Sequence, residues 1–200
     1  MIFVALIDSG GANIGSVRYA LERLGVDARL TGDADEIRAA ERVILPGVGA
    51  AAPAMARLRE LGLIDTIRSL TQPLLGICLG MQLLFEGSDE GEVECLGLLP
   101  GRVRRMPDSA GVRIPHMGWN RLTPRRDSAL LHGIEPGAQA YFVHSFAAPV
   151  SADCVADCTH GEAFAAVVER GNVAGAQFHP ERSAAVGARL LSNFLRGDRE

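Results

Sequence analysis

Leu74-Leu75-Gly76-Ile77-Cys78-Leu79-Gly80 is the stretch whose reading decides the fold. An apolar pair feeds a cysteine that has a glycine two residues away on either side. A buried strand that turns abruptly into a helix needs small residues around the turning point, as in a nucleophile elbow. The pattern predicts a strand over 74–77 and a helix over 79–85, with the Cys78 side chain held outside the sheet at the helix start. Backbone N–H groups and the positive helix end favour thiolate over thiol there. Most free cysteines are buried packing residues, but such a residue has no use for flanking glycines. Cys78 reads as a nucleophile.

Outward from this turn, the first half alternates short apolar runs with helical patterns. Ile2 to Ile7, Val26 to Leu30 and Arg42 to Leu45 read as strands, the last ending in Pro46-Gly47-Val48-Gly49. Asn13 is placed to cap a helix whose apolar stripe uses Val17, Leu21 and Leu24. Pro53 falls in the first turn of the next helix, where its missing N–H costs little. This alternation specifies a parallel sheet covered on both faces, with ligands at the carboxyl ends of its strands. Beyond Pro100, Gln139 to Phe146, Cys154 to Thr159, Phe164 to Glu169 and Val173 to Phe178 read as antiparallel strands added to the same domain. Ala184 to Leu195 closes the chain as a helix, and acidic Glu86 to Glu94 reads as an exposed loop. One domain spanning 1–200 is expected.

Bulk properties exclude more than they assign. A net charge of −4 gives no reason to expect nucleic acid or an anionic membrane as partner. No run approaches the ~20 apolar residues of a bilayer span, and Met1 to Ile7 enters Asp8 as a first strand without a basic n-region. Four unevenly spaced cysteines in a 200-residue chain need no disulfides and point to a reducing cytoplasm. Gly10 to Gly15 does not follow the dinucleotide-binding spacing, because position 12 is alanine. Cys154, Cys158 and His160 share one face of a regular strand, half of a zinc site with no evident fourth ligand. No metal and no cofactor are expected.

A second chemical cluster follows the last strand: Gln177-Phe178-His179-Pro180-Glu181. A cysteine nucleophile needs a base, and the base needs a third group to set its tautomer. His179 and Glu181 lie two apart and point the same way from an extended segment, with Pro180 stiffening it. Pro46-Gly47-Val48-Gly49 ends another strand with backbone that can aim an N–H inward. Together with the N–H of Leu79 it can form an oxyanion hole; a plain left-handed turn is the other reading of these glycines.

These segments together resemble the class I, triad-type glutamine amidotransferases. Ile114-Pro115-His116-Met117-Gly118-Trp119-Asn120, Tyr141-Phe142-Val143-His144-Ser145 and the opening Asp8 to Val17 narrow the resemblance to the glutaminase subunits of imidazole glycerol phosphate synthase. The resemblance covers nearly the whole chain and implies a flavodoxin-like three-layer α/β sandwich, mostly parallel, with an antiparallel portion in the C-terminal half. It implies that Cys78 attacks the glutamine side-chain amide, His179 moves the proton and Glu181 orients His179. Val48 and Leu79 would supply the oxyanion N–H groups, while Gly47, Gly49, Gln82, Ser145 and Phe146 would hold the substrate. Ammonia would pass to a (β/α)₈-barrel cyclase in a heterodimer, giving imidazole glycerol phosphate and an aminoimidazole carboxamide ribonucleotide. Asn13, Trp119, Tyr141 and Arg182 would face that partner.

Four positions depart from the family pattern: Ser9 for an aromatic, Ala12 for glycine, Phe146 for tyrosine and Arg182 for lysine. None belongs to the expected triad. Without the resemblance, His116 and His144 read as structural histidines and Trp119 as core. The triad motifs alone fit a glutaminase of another pathway or a γ-glutamyl hydrolase equally well. An inert binding scaffold is disfavoured by the intact Cys78, His179 and Glu181.

Overall fold

The structure, a computed structural model, describes residues 2–11, 14–108 and 111–197. The cap expected at Asn13 and the departure at Ala12 lie outside the described residues. In chain order the first half runs β1 (Phe3–Ile7), α1 (Ile14–Glu22), β2 (Asp27–Thr31), α2 (Ala34–Ala39), β3 (Arg42–Leu45), α3 (Ala51–Glu60), α4 (Ile64–Arg68), β4 (Leu74–Ile77) and α5 (Leu79–Gln82). Short strands β5 (Gly87–Ser88), β6 (Val93–Glu94) and β7 (Arg102–Arg105) follow. The second half holds β8 (His116–Arg121), β9 (Thr123–Pro124), β10 (Gln139–His144), β11 (Phe146–Ala147), β12 (Cys154–His160), β13 (Glu162–Arg170), β14 (Val173–Ala176) and α6 (Ala184–Arg196).

The central sheet has eight strands in the order β2-β1-β3-β4-β14-β13-β12-β9. Strands β2, β1, β3, β4 and β14 are parallel, and β13, β12 and β9 extend the sheet antiparallel. Side-chain alternation divides the core into two layers. Val4, Leu6, Ile44, Leu75 and Ile77 pack with Val17 and Leu21 of α1 and Leu190, Leu191 and Phe194 of α6. Ala5, Ile7, Val43, Leu45 and Leu74 pack on the other face with Ile37, Met55, Leu58 and Ile67 of α2, α3 and α4. Among the described residues no helix is long and apolar enough to cross a membrane.

Several expectations are corrected. The last strand, β14, is not wholly antiparallel: it pairs parallel with β4 and antiparallel with β13, so it joins the two halves of the sheet. β10 leaves the main sheet and forms a two-stranded ribbon with β8, and Phe146 belongs to β11 in a separate small sheet. Glu86 to Glu94 is not an exposed loop; it carries the β5–β6 hairpin, with Ser88 fully buried. α5 stops at Gln82 because the Leu84 and Phe85 N–H groups turn to the i−3 carbonyls of Met81 and Gln82. Leu96, Gly97 and Leu98 N–H groups donate to the carbonyls of Leu83, Phe85 and Leu84 that follow. Cys154 and Cys158 do not share a face. Register shifts at Ala156 mark a bulge, and the two thiols enter opposite core layers.

Candidate active site

Three motifs converge because their strands are neighbours. β3, β4 and β14 lie side by side and parallel, so the carboxyl ends carrying Pro46 to Gly49, Cys78 and His179 open at one edge. The pairing of Ala176 with Ile77 sets Cys78 level with Gln177, and Cys78 N–H donates to the Ala176 carbonyl at 2.8 Å.

Cys78 has φ 53° and ψ −111°, left-handed backbone that a non-glycine residue adopts at a cost of about 1–3 kcal/mol. Its flanking glycines make the turn possible. A Cβ on Gly80 would lie 1.7 Å from the Leu45 carbonyl oxygen, and one on Gly76 would lie 2.7 Å from Gly80 and Met81 backbone. The expected elbow is therefore present, with one turn of helix behind it in place of two.

His179 lines the same cleft as Cys78, and its Nδ1 lies 2.9 Å from Glu181 Oε1. A carboxylate at Nδ1 keeps the proton there and turns Nε2 toward the sulfur. The side chains of His179 and Glu181 are only 4% and 1% exposed. Burial pulls the imidazole toward neutrality, but hydrogen bonds and charge from Cys78 and Glu181 outweigh it and raise His179 to about 10. The two residues are joined by a 3₁₀ turn over Pro180–Arg182 and not by the extended segment expected. Buried Ser183 fastens this turn: its Oγ donates to the His179 carbonyl at 2.7 Å and accepts from Tyr141 N–H at 2.9 Å. His179 N–H in turn donates to the Tyr141 carbonyl at 3.0 Å.

A cleft of about 270 Å³ opens over Cys78, walled by Val48, Gly49, Leu79, Gln82, Glu90, Val143, His144, Ser145, Phe146 and His179. All but one of the expected substrate and oxyanion positions thus gather here. Gly47 stands apart: it is buried against Leu79 and Gly80, where an added Cβ would meet Gly80 N at 3.0 Å. Gln82 Nε2 donates to the Phe146 carbonyl at 2.8 Å and to Gln177 Oε1 at 3.0 Å. Behind the neighbouring strand end, Ser9 Oγ donates to the Pro46 carbonyl at 2.7 Å.

Glu90, Val143 and Gln177 were not anticipated. Glu90 sits in the β5–β6 turn, its Oε2 accepting from Ala51 N–H at 3.0 Å; a serine-led turn, Ser88-Asp89-Glu90-Gly91, is its only signal in the sequence. Of the expected partner-facing residues, Trp119 and Tyr141 meet edge to face at 5.9 Å, and the Arg182 guanidinium lies 4.5 Å from the Tyr141 ring centre. Trp119 is 51% exposed, so it is not core.

The family described as Glutamine amidotransferase class-I matches residues 5–197. The chain is 68% identical over 195 residues to "Imidazole glycerol phosphate synthase subunit HisH" of Xanthomonas axonopodis pv. citri, covering 98% of each chain. It is 62% identical over 198 residues to the protein of the same name from Xylella fastidiosa, covering 99% of each. Among solved structures, a glutamine amidotransferase superposes with a TM-score of 0.74 at 22% identity, covering 96% of this chain and 97% of that one. PurLQS from Thermotoga maritima matches with the same TM-score at 23% identity, covering 98% of each. These two show the fold. The chain belongs to the class I glutamine amidotransferase family and, within it, to the HisH subunits of imidazole glycerol phosphate synthase.

Proposed function

We propose that this chain hydrolyses the side-chain amide of glutamine and delivers the ammonia to a partner cyclase that makes imidazole glycerol phosphate. One observation carries the reading: Cys78 and His179 wall one cleft sized for an amino acid, and His179 Nδ1 lies 2.9 Å from Glu181 Oε1. The Cys78 sulfur attacks the amide carbon as thiolate, its proton held on His179 Nε2. The carbonyl electron pair moves onto oxygen, where the N–H groups of Leu79 and Val48 stabilise it. His179 returns the proton to nitrogen and ammonia leaves, breaking the C–N bond. Water then gives a proton to His179 and attacks the thioester, and glutamate departs as Cys78 regains its proton. Glu181 holds the Nδ1 proton throughout.

Substrate recognition follows from the cleft wall. Glu90 supplies the carboxylate for the substrate ammonium group. Gln82 and the backbone at Gly49, Ser145 and Phe146 supply polar contacts, and Gly47 keeps the oxyanion strand close to Leu79. The relatives are each named as a subunit, which implies a second chain. A (β/α)₈-barrel cyclase in a heterodimer fills that role, meeting Trp119, Tyr141, Arg182 and Asn13. Four free cysteines accord with a cytoplasmic setting.

Regulation by the partner has a physical basis. The Val48 N–H belongs to the Gly47–Val48 peptide, and Val48 is flanked by glycine on both sides. Gly49 has φ +97° with nothing within 4 Å of its Cβ position, so the Gly47–Val48 peptide is the adjustable element of the oxyanion hole. Glutamate release is measured with and without the cyclase and its nucleotide. A large rise on addition is expected, and equal high rates would discard the regulatory claim. Cys78→Ala abolishes release while the complex still forms; continued turnover would overturn the nucleophile. Complementation of a histidine auxotroph lacking this subunit separates this pathway from any other served by the same fold.

A further inference from the structure

Three side chains outside the triad form a hydrogen-bonded chain whose proton positions are fixed from its two ends. At one end, Asn120 Oδ1 accepts from Arg121 N–H at 2.8 Å and Nδ2 donates to the Thr159 carbonyl at 2.9 Å. The amide nitrogen therefore faces His116 and meets its Nε2 at 3.2 Å. At the other end, His144 Nδ1 lies 2.9 Å from the Phe146 carbonyl, which only accepts, so His144 carries its proton on Nδ1. A neutral ring protonated there accepts at Nε2. The proton between the two rings, 2.9 Å apart, then belongs to His116 Nδ1, leaving His116 Nε2 a lone pair for Asn120. The opposite assignment sets lone pair against lone pair at Phe146 and N–H against N–H at Asn120.

The rings are also held mechanically. His116 stacks between Phe142 at 5.0 Å and His160 at 4.2 Å, and His144 packs on the edge of Phe164 at 4.9 Å. The same Phe146 carbonyl takes a second hydrogen bond, from Gln82 Nε2 at 2.8 Å. Both donors belong to residues that wall the cleft over Cys78.

We propose that His144, held in its Nδ1–H form by His116 and Asn120, is a positioning residue for glutamine: it orients the Phe146 carbonyl and thereby the Gln82 amide and the Ser145–Phe146 backbone. The proposal rests on the glutaminase reading above and adds to it a group that acts through the Phe146 carbonyl.

Two measurements test it. In ¹⁵N NMR of the imidazole nitrogens of the full chain at pH 7, His116 and His144 are both expected as neutral Nδ1–H tautomers. An Nε2–H tautomer on either ring, or averaging between the two, would overturn the chain. Glutamine KM and kcat are then compared in the two-subunit complex for wild type, His144→Gln and His144→Asn. Glutamine at this position reaches the Nε2 site and loses the bond to Phe146; asparagine keeps a donor near Nδ1. His144→Gln is expected to raise KM about tenfold, the effect of one net hydrogen bond, with kcat falling less than about threefold. His144→Asn recovers most of the loss in KM. Equal effects from both variants, or none, would show the ring to be packing alone. A wild-type complex that releases no glutamate would overturn the glutaminase reading instead, and the tautomer measurement would still decide the chain.

Discussion

At the scale of single residues, chemistry is set by what each group is buried with. Burial pushes Cys95 and Cys154 up to about 11 and Cys158 up to about 12, so these thiols stay protonated at neutral pH. Cys78 stands instead beside a histidine that is itself raised. A diazo-ketone analogue of glutamine is therefore expected to label Cys78 alone, read by peptide mass spectrometry; equal labelling of a second cysteine would contradict the assignment. The histidines give a second prediction. Burial lowers His116 to about 3 and His144 to about 4, against an ordinary value of 6.5. Below pH 6.5 the unfolded chain takes up protons that these folded rings refuse, so their contribution is present above 6.5 and drains away toward pH 4. Each contributes a slope of up to about 1.4 kcal/mol per pH unit. The urea midpoint should fall between pH 6.5 and 4.5, and the fall should be shallower in His144→Gln. His179 runs the other way, its contribution present below 6.5 and lost as pH rises through about 10.

At the scale of elements, the glycines around the elbow are packing constraints that can be ranked. A methyl group on Gly80 would collide with the Leu45 carbonyl at 1.7 Å, and on Gly187 with the Pro180 carbonyl at 1.8 Å. Both neighbours are backbone and cannot swing aside. Gly25 also has positive φ, +78°, but an added Cβ meets nothing within 4 Å. Gly25→Ala should therefore lose only the left-handed penalty of about 1–2 kcal/mol, while Gly80→Ala loses at least about 3 kcal/mol. Thermal unfolding of the two variants checks the order, and similar losses would refute it. The elbow was legible in the sequence because its requirement is local: apolar run, cysteine, glycine on both sides. The His179–Glu181 pairing was legible by spacing, although the backbone between them is a 3₁₀ turn. β5 and β6 were not legible, since two-residue strands in an acidic turn carry no periodicity. Nor was the face of Cys154, which depends on a bulge set by the partner strand.

At the scale of the whole molecule, the site exists because β14 returns to lie parallel beside β4, a long-range pairing that no local pattern announces. The motifs at the two strand ends implied their meeting only through the chemistry they share, which is why the family was readable before the topology. The same reasoning extends to the ribbon of β8 and β10, whose two faces differ. His116, Phe142 and His144 turn inward, while Met117 and Trp119 are 63% and 51% exposed and Tyr141 carries Arg182 on its ring. Large exposed apolar side chains beside a cation are what a protein partner covers. The ribbon also holds the catalytic turn, since the Tyr141 backbone bonds both His179 and Ser183. A partner seated on this face is thereby linked to His179 by three hydrogen bonds. Trp119→Ala is expected to leave the melting temperature within about 2 °C, because a half-exposed ring contributes little to the core. It should weaken the two-subunit complex about thirtyfold, the effect of a central aromatic anchor of about 2 kcal/mol. Titration calorimetry of the paired subunits reads the affinity directly, and an unchanged Kd would move the interface away from this ribbon.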